Sequence, residues 1–223
     1  MSLPQIVTRE EWRAAREALR AQEEELDRAR RALNDRRRQL PMVEVGDEYV
    51  FGGGDGRATL RDLFEGRQQL IVHHFVFPPE GEDDGADRPG STALLDQIGP
   101  LTHLWTRHTT FAVVSRAPFR RILPFKARMG WAVPWYSSAG SPFDADFDAT
   151  VVRGGRPVDR PGLSCFLRDR DRVLHTYSAF EDGLAGIGSL TGLLDLTALG
   201  RQEEREETPG RAPAVPAVGA VRR

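Results

Sequence analysis

Cysteine and lysine are almost missing from this chain of 223 residues. Cys165 is the one cysteine, so no intrachain disulfide and no internal dithiol couple can form. It lies in Leu163-Ser164-Cys165-Phe166-Leu167, an apolar strand-like run, where a small buried hydrophobe is expected. Lysine occurs once, at Lys126, and arginine supplies the rest of the positive charge. The formal net charge is −2, which excludes nucleic-acid binding by bulk charge. No apolar run is long enough to span a membrane, and no signal-peptide core follows Met1. The expected location is the cytoplasm, with neither nucleic acid nor membrane as partner.

What is present reads as a soluble domain with extensions. The segment from Thr8 to about Gln39 has no Gly or Pro and opens on Thr8-Arg9-Glu10-Glu11, a capping box. Trp12, Leu19, Leu26, Leu33 and Leu40 recur every seven residues, with Ala15, Ala18, Ala29 and Ala32 beside them. A long helix with one narrow apolar face follows, lying across its own domain or embracing a second subunit. Residues 1–40 are assigned to this helix as a candidate dimer arm, 41–200 to one domain and 201–223 to a disordered tail.

Beyond Pro41 the pattern alternates between strands and helices. Val43, Val45, Tyr49 and Phe51 read as short strands, Gly52-Gly53-Gly54-Asp55-Gly56 as a hairpin tip, and Thr59 to Phe64 as a short helix. Residues 69–77 form an apolar strand, followed by an acidic loop and Arg88-Pro89-Gly90-Ser91 at a helix start. Leu94, Leu95, Ile98, Leu101, Leu104 and Trp105 continue as one kinked helix or two abutting ones. Thr109 to Ser115 is a second buried strand, and Arg116-Ala117-Pro118 opens a helix to about Met129 that Pro124 kinks or shortens. Trp135 to Ser138 is a third strand, and Ser141 to Asp148 a loop carrying Asp144, Asp146 and Asp148. Leu163–Leu167 and Val173–Tyr177 make an antiparallel hairpin, and a last helix covers Gly183 to about Leu196. Buried strands alternating with helices predict an α/β layer fold with a mostly parallel core.

Several stretches carry a resemblance. They include Tyr49-Val50-Phe51, Gln69-Leu70-Ile71-Val72, His74-Phe75, Val114-Ser115-Arg116-Ala117-Pro118 and Arg128-Met129-Gly130-Trp131. Others are Ser137-Ser138-Ala139-Gly140-Ser141, Phe166-Leu167-Arg168-Asp169, His175-Thr176-Tyr177-Ser178 and Asp195-Leu196-Thr197. Together they resemble an uncharacterised bacterial thioredoxin-like family, often labelled predicted dithiol-disulfide oxidoreductases, from about Thr8 to about Gln202. The resemblance implies a thioredoxin-like sheet with helices on both faces. It also implies a Cys-Pro-x-Cys motif at the start of the helix after the first core strand. Here that place reads Arg88-Pro89-Gly90-Ser91, so Arg88 and Ser91 stand in the cysteine positions. The segment is also similar to the peroxiredoxin pattern, whose attacking thiol would again fall on Arg88. Exchange needs a thiolate, so dithiol chemistry is expected to be absent.

The candidate site residues are Arg88, Ser91, His74 and Arg116. Arg88 would hold an anion together with free helix-start N–H groups, or pair with the acidic loop from Glu80 to Asp87, itself a solvated loop or a mobile lid. Ser91 reads as a helix-start hydroxyl. Arg116 follows the second strand, where such sheets place ligand contacts; its alternative is an ion pair with Asp144 or Asp146. His73 and His74 are adjacent on a strand and point to opposite faces. With His103, and His108 nearby, they are candidate ligands for copper or iron, although their spacing matches no defined metal motif. Trp131 and Trp135 read as packing. Three functions remain: a small-molecule site without dithiol chemistry, a metal-dependent oxidoreductase, and a dimeric scaffold using the long helix.

Overall fold

The computed structural model describes residues 5–46, 49–77, 89–184, 187 and 190–202. Arg88, the acidic loop and the charged C-terminal tail lie outside the described residues. The chain divides into two units, Met1–Gln39 and Leu40–Arg223.

The first unit is α1 (Arg9–Arg38), and its start follows from the capping box. The Thr8 hydroxyl accepts from the Glu11 backbone N–H, and the Glu11 carboxylate accepts from the Thr8 N–H at 2.9 Å. Arg36, Arg37 and Arg38 occupy the last turn, where cations complement the helix dipole.

The second unit is built on one eight-stranded sheet. Its strands are β1 (Val43–Val45), β2 (Val50–Gly53), β3 (Gly56–Thr59), β4 (Gln69–His74), β5 (Thr109–Ser115), β6 (Trp135–Ser137), β9 (Gly162–Asp169) and β10 (Arg172–Phe180). Strands β7 (Thr150–Arg153) and β8 (Arg156–Asp159) form a separate hairpin. The sheet order is β1-β10-β9-β4-β5-β6-β2-β3. β4, β5 and β6 run parallel, while β9 and β10 form an antiparallel hairpin against β4. The sub-order β10-β9-β4-β5, with helices between β4 and β5 and one more after β10, makes the fold thioredoxin-like. β4 and β5 are buried along their whole length, the condition under which an apolar run becomes a parallel strand.

The crossover from β4 to β5 contains two helices, α2 (Pro89–Gln97) and α3 (Thr102–Trp105). α4 (Phe119–Met129) joins β5 to β6, α5 (Phe143–Asp146) follows β6, and α6 (Leu190–Asp195) follows β10. Pro124 is accommodated inside α4, which ends at Gly130 with φ +70°. Ile71, Phe111, Val113, Leu163 and Cys165 face a core closed by Leu94 and Leu95 of α2, Leu104 of α3, Ile122 and Phe125 of α4, and Leu193 and Leu194 of α6. Leu70, Val72, Ala112, Val114 and Phe166 face a second core closed by Phe143 of α5, Phe147, Leu63 and Phe64. Helices therefore lie on both faces of the sheet.

Three local expectations change. Thr59 to Phe64 is the end of β3 followed by a 3-10 turn at Asp62–Phe64, not a helix. The turn is held by Asp62, whose carboxylate accepts from the Thr59 N–H at 2.8 Å. Ser141 to Asp148 is not all loop, because Phe143 is fully buried and draws the segment into α5. The last helical pattern begins as a 3-10 turn at Glu181–Leu184, residue 187 lies outside any helix, and α6 spans Leu190–Asp195.

Candidate functional site

The parallel strands end at His74, Ser115 and Ser137, and the chain turns back into the sheet at Gly162. These residues share one edge, the carboxyl end of the parallel core, where open α/β sheets place ligands. The adjacent histidines of β4 divide between the faces. His73 lies against Phe75 and Phe111 on the face covered by α2, α3, α4 and α6, with Nδ1 3.1 Å from the Gly162 carbonyl. His74 lies on the other face, between the Phe143 and Phe180 rings, whose centroids are 5.7 and 5.9 Å away.

A chain of polar groups starts from His74. Its Nε2 is 2.8 Å from Ser164 Oγ, which is 2.8 Å from Ser178 Oγ, which is 2.8 Å from His175 Nε2. On the other side of the ring, Nδ1 is 3.8 Å from Asp144 Oδ1 and makes no hydrogen bond. Asp144, 5% exposed, also accepts from the Ser138 hydroxyl. His74, Ser164 and Ser138 are buried, while Ser178 and His175 are half-buried.

Two irregularities assemble this chain. The β9–β10 register shifts between His175 and Tyr177, so Thr176 is an extra residue in the ladder. In a regular strand His175 and Ser178, three apart, would face opposite ways; the bulge turns both to the His74 face. Gly162 is the second. A Cβ there would meet the Phe180 ring at 2.1 Å, so only glycine lets that ring lie over the strand and against His74. The Arg160 guanidinium covers the outer side of the Phe180 ring, 4.2 Å from its centroid. Burial against Phe147 and Phe166 lowers the pKa of His175, and the hydrogen bond to the Tyr177 carbonyl offsets only part of that effect.

Arg116 pairs with Asp159 of β8 at 2.9 Å, not with Asp144 or Asp146. Asp159 also accepts from Thr150 at 2.6 Å, and Asp146 accepts from the Tyr49 hydroxyl at 2.8 Å. Ser91 belongs to α2. The metal candidates are not gathered: His73 and His74 face opposite layers, and His103 is exposed on α3. Among the described residues no group of three or more His, Cys, Asp or Glu could hold a metal ion. Trp131 and Trp135 pack with Phe75 and Phe125, and Trp131 donates to Asp96 at 2.9 Å.

An open depression of about 540 Å³ lies between Val50–Gly52 and Arg57 on one side and Ala139–Pro142 on the other. Arg57 is the charged residue among those that line it. Its Ala139–Pro142 wall is continuous in sequence with Ser138 and Asp144, the two residues tied together beside His74. The sequence directs attention to the start of α2 and to Arg116, not to this depression. The glycines at 52 and 140 and the Ser-Ser-Ala-Gly-Ser-Pro run carry the signal for it.

A family profile described as "Bacterial protein of unknown function (DUF899)" matches residues 1–214. No curated protein matches the chain. Among solved structures, it is similar to the Xanthomonas campestris bacterioferritin comigratory protein, with 19% identity and a TM-score of 0.45, over 59% of this chain and 79% of that one. Xanthomonas campestris peroxiredoxin Q aligns at 17% identity and a TM-score of 0.49, over 70% of this chain and 96% of that one. Peroxidoxin BcpB of Mycobacterium tuberculosis aligns at 17% identity and a TM-score of 0.49, over 63% and 85%. Among the described residues no helix is long and apolar enough to cross a membrane.

Proposed function

Since the chain belongs to this DUF899 family of bacterial proteins of unknown function, we propose that it is a thioredoxin-fold protein without dithiol–disulfide exchange that keeps a small-molecule site. The observation that carries the reading is the place of the one thiol. Cys165 is 1% exposed in the middle of β9, between Ile71 of β4 and Tyr177 of β10. A thiol buried in the core under the helices has no approach for a disulfide, and exchange needs an accessible thiolate. Arg88 and Ser91 stand where the resemblance places cysteines, and neither supplies a sulfur.

The small molecule is assigned to the carboxyl edge of the parallel core. His74 contributes from β4, Arg88 and Ser91 from the start of α2, and Arg116 by exchanging Asp159 for ligand. The depression beside Ala139–Pro142 gives such a molecule room, and Arg57 selects an anionic or carbonyl group. A second copy of the chain is the proposed protein partner, supported by the exposed apolar stripe of α1.

The test is a disulfide-reduction assay run beside a thiol titration. The expected result is no turnover, with Cys165 reacting with an aromatic disulfide reagent only after denaturation. Turnover in the native protein that disappears in Cys165→Ser would overturn the proposal.

A further inference from the structure

We infer that His175, Ser178, Ser164 and His74 form a proton relay along one face of the sheet, closed at its inner end by Asp144. It links a half-exposed imidazole to the carboxyl edge of β4. It deepens the reading of that edge as a site without thiols and rests on it: the chemistry it serves is acid–base, on a small molecule that must gain or lose a proton.

The hydrogen bonds have a direction. His175 Nε2 is 3.2 Å from the Tyr177 carbonyl, which can only accept, so Nε2 carries the proton. Ser178 Oγ, 2.8 Å from the same nitrogen, must then accept from it. Ser178, having accepted from His175, is free to donate to Ser164, and Ser164 to His74 Nε2, the direction that an Nδ1–H tautomer of His74 requires. His74 then carries its proton on Nδ1, facing Asp144 Oδ1 at 3.8 Å. The reverse tautomer would set a bare nitrogen lone pair against a carboxyl oxygen, and Asp144 disfavours it. Three consecutive contacts of 2.8 Å leave no break in the chain.

One transfer balances as follows. His175 takes a proton at Nδ1 and gives its Nε2 proton to Ser178. Ser178 passes its own proton to Ser164, and Ser164 passes its own to His74 Nε2. His74 releases its Nδ1 proton to Asp144, whose Oδ1 stands 3.8 Å away and must close to hydrogen-bond distance for the transfer. Each serine ends with the protons it began with, and both imidazoles end in the opposite tautomer. Ser164 is fully buried, which suits a relay and denies it the role of nucleophile. The groups that face the two imidazoles are Asp144 at His74, and Asp148 with His74 itself at His175.

The experiment is nitrogen-15 imidazole NMR on the full-length protein, with no ligand needed. The expected tautomers are Nδ1–H at His74 and Nε2–H at His175. Ser178→Ala should slow exchange of the His74 Nδ1 proton with solvent about tenfold, the equivalent of one lost buried hydrogen bond. Ser178→Thr, which keeps the hydroxyl, should restore it. An Nε2–H tautomer at His74 in the unmodified protein would overturn the relay even if Ser178→Ala failed to fold. Exchange unchanged or faster in Ser178→Ala would overturn it too, since the proton would then leave by local opening. Neither outcome touches the thiol result, so the relay and the proposed function fail separately.

Discussion

At Gly162 a missing side chain sets the cover over His74. The Phe180 ring occupies the space a Cβ would need, and the Ala179 carbonyl stands 3.1 Å from the same point. Gly162→Ala must push Phe180 out from under Arg160 and away from His74. Overpacking of this kind costs about 1–3 kcal/mol, to be read as a lower urea midpoint with an unchanged slope. A variant as stable as the parent would mean that the ring shifts freely and guards nothing. The sequence signals for this region were uneven. The place of His74 at the end of an apolar run, and the opposite aspects of the two histidines, are readable from strand alternation. Its partners are not. Ser164 and Ser178 look like ordinary alternating strand residues, and only the Thr176 bulge turns Ser178 and His175 to one face. Asp144 was visible as one of three aspartates, but which of them points inward depends on Phe143 entering the core.

Among the elements, α1 carries the clearest seven-residue apolar period. Trp12, Leu19, Leu26 and Leu33 remain 56, 49, 60 and 48% exposed, a stripe recurring every seven residues. Such spacing suits the seam of a coiled coil, and a second copy supplies an identical face. Leu19→Glu with Leu26→Glu keeps helix propensity while charging the seam. Light scattering should give twice the chain mass for the parent and the single-chain mass for the double variant; a monomeric parent at micromolar concentration would sink the dimer. Elements with strong period or strong caps were legible: α1 from its capping box, β4 and β5 from their apolar runs, and the β9–β10 hairpin from its charged turn. In the sequence the β7–β8 hairpin is announced by Gly154 and Gly155 alone. Both adopt positive φ, +59° and +74°, as a two-residue hairpin turn requires. Helical spacing of apolar residues does not carry one helix from Gly183 to Leu196, because Gly183 and Leu184 belong to a 3-10 turn and residue 187 lies outside any helix.

For the whole molecule, the buried imidazole of His175 should appear in the dependence of stability on pH. Its folded pKa lies below the ordinary value of 6.5, chiefly because burial penalises the charged ring. The unfolded chain therefore binds more protons than the folded one between the folded pKa and 6.5. The sign follows: stability rises with pH through that window, is fully present above it, and is lost as pH falls to the folded pKa. Below that point the two states are equally protonated at this residue, and its contribution stops changing. Asp62 acts in a separate window. The Thr59 backbone N–H, with the Thr59 hydroxyl second, lowers its pKa below 3.8. Its contribution is present above 3.8 and is lost only as pH falls through the lower folded value. The imidazole step therefore stands clear of the carboxylate step. Urea titrations at a series of pH values should show stability rising with pH in the range below 6.5. His175→Gln, which keeps a donor for Tyr177 and Ser178, should flatten that slope while leaving the acid limb below about pH 4 in place. An equal slope in the variant would move the titration to another group and remove His175 as the half-buried end at which protons enter.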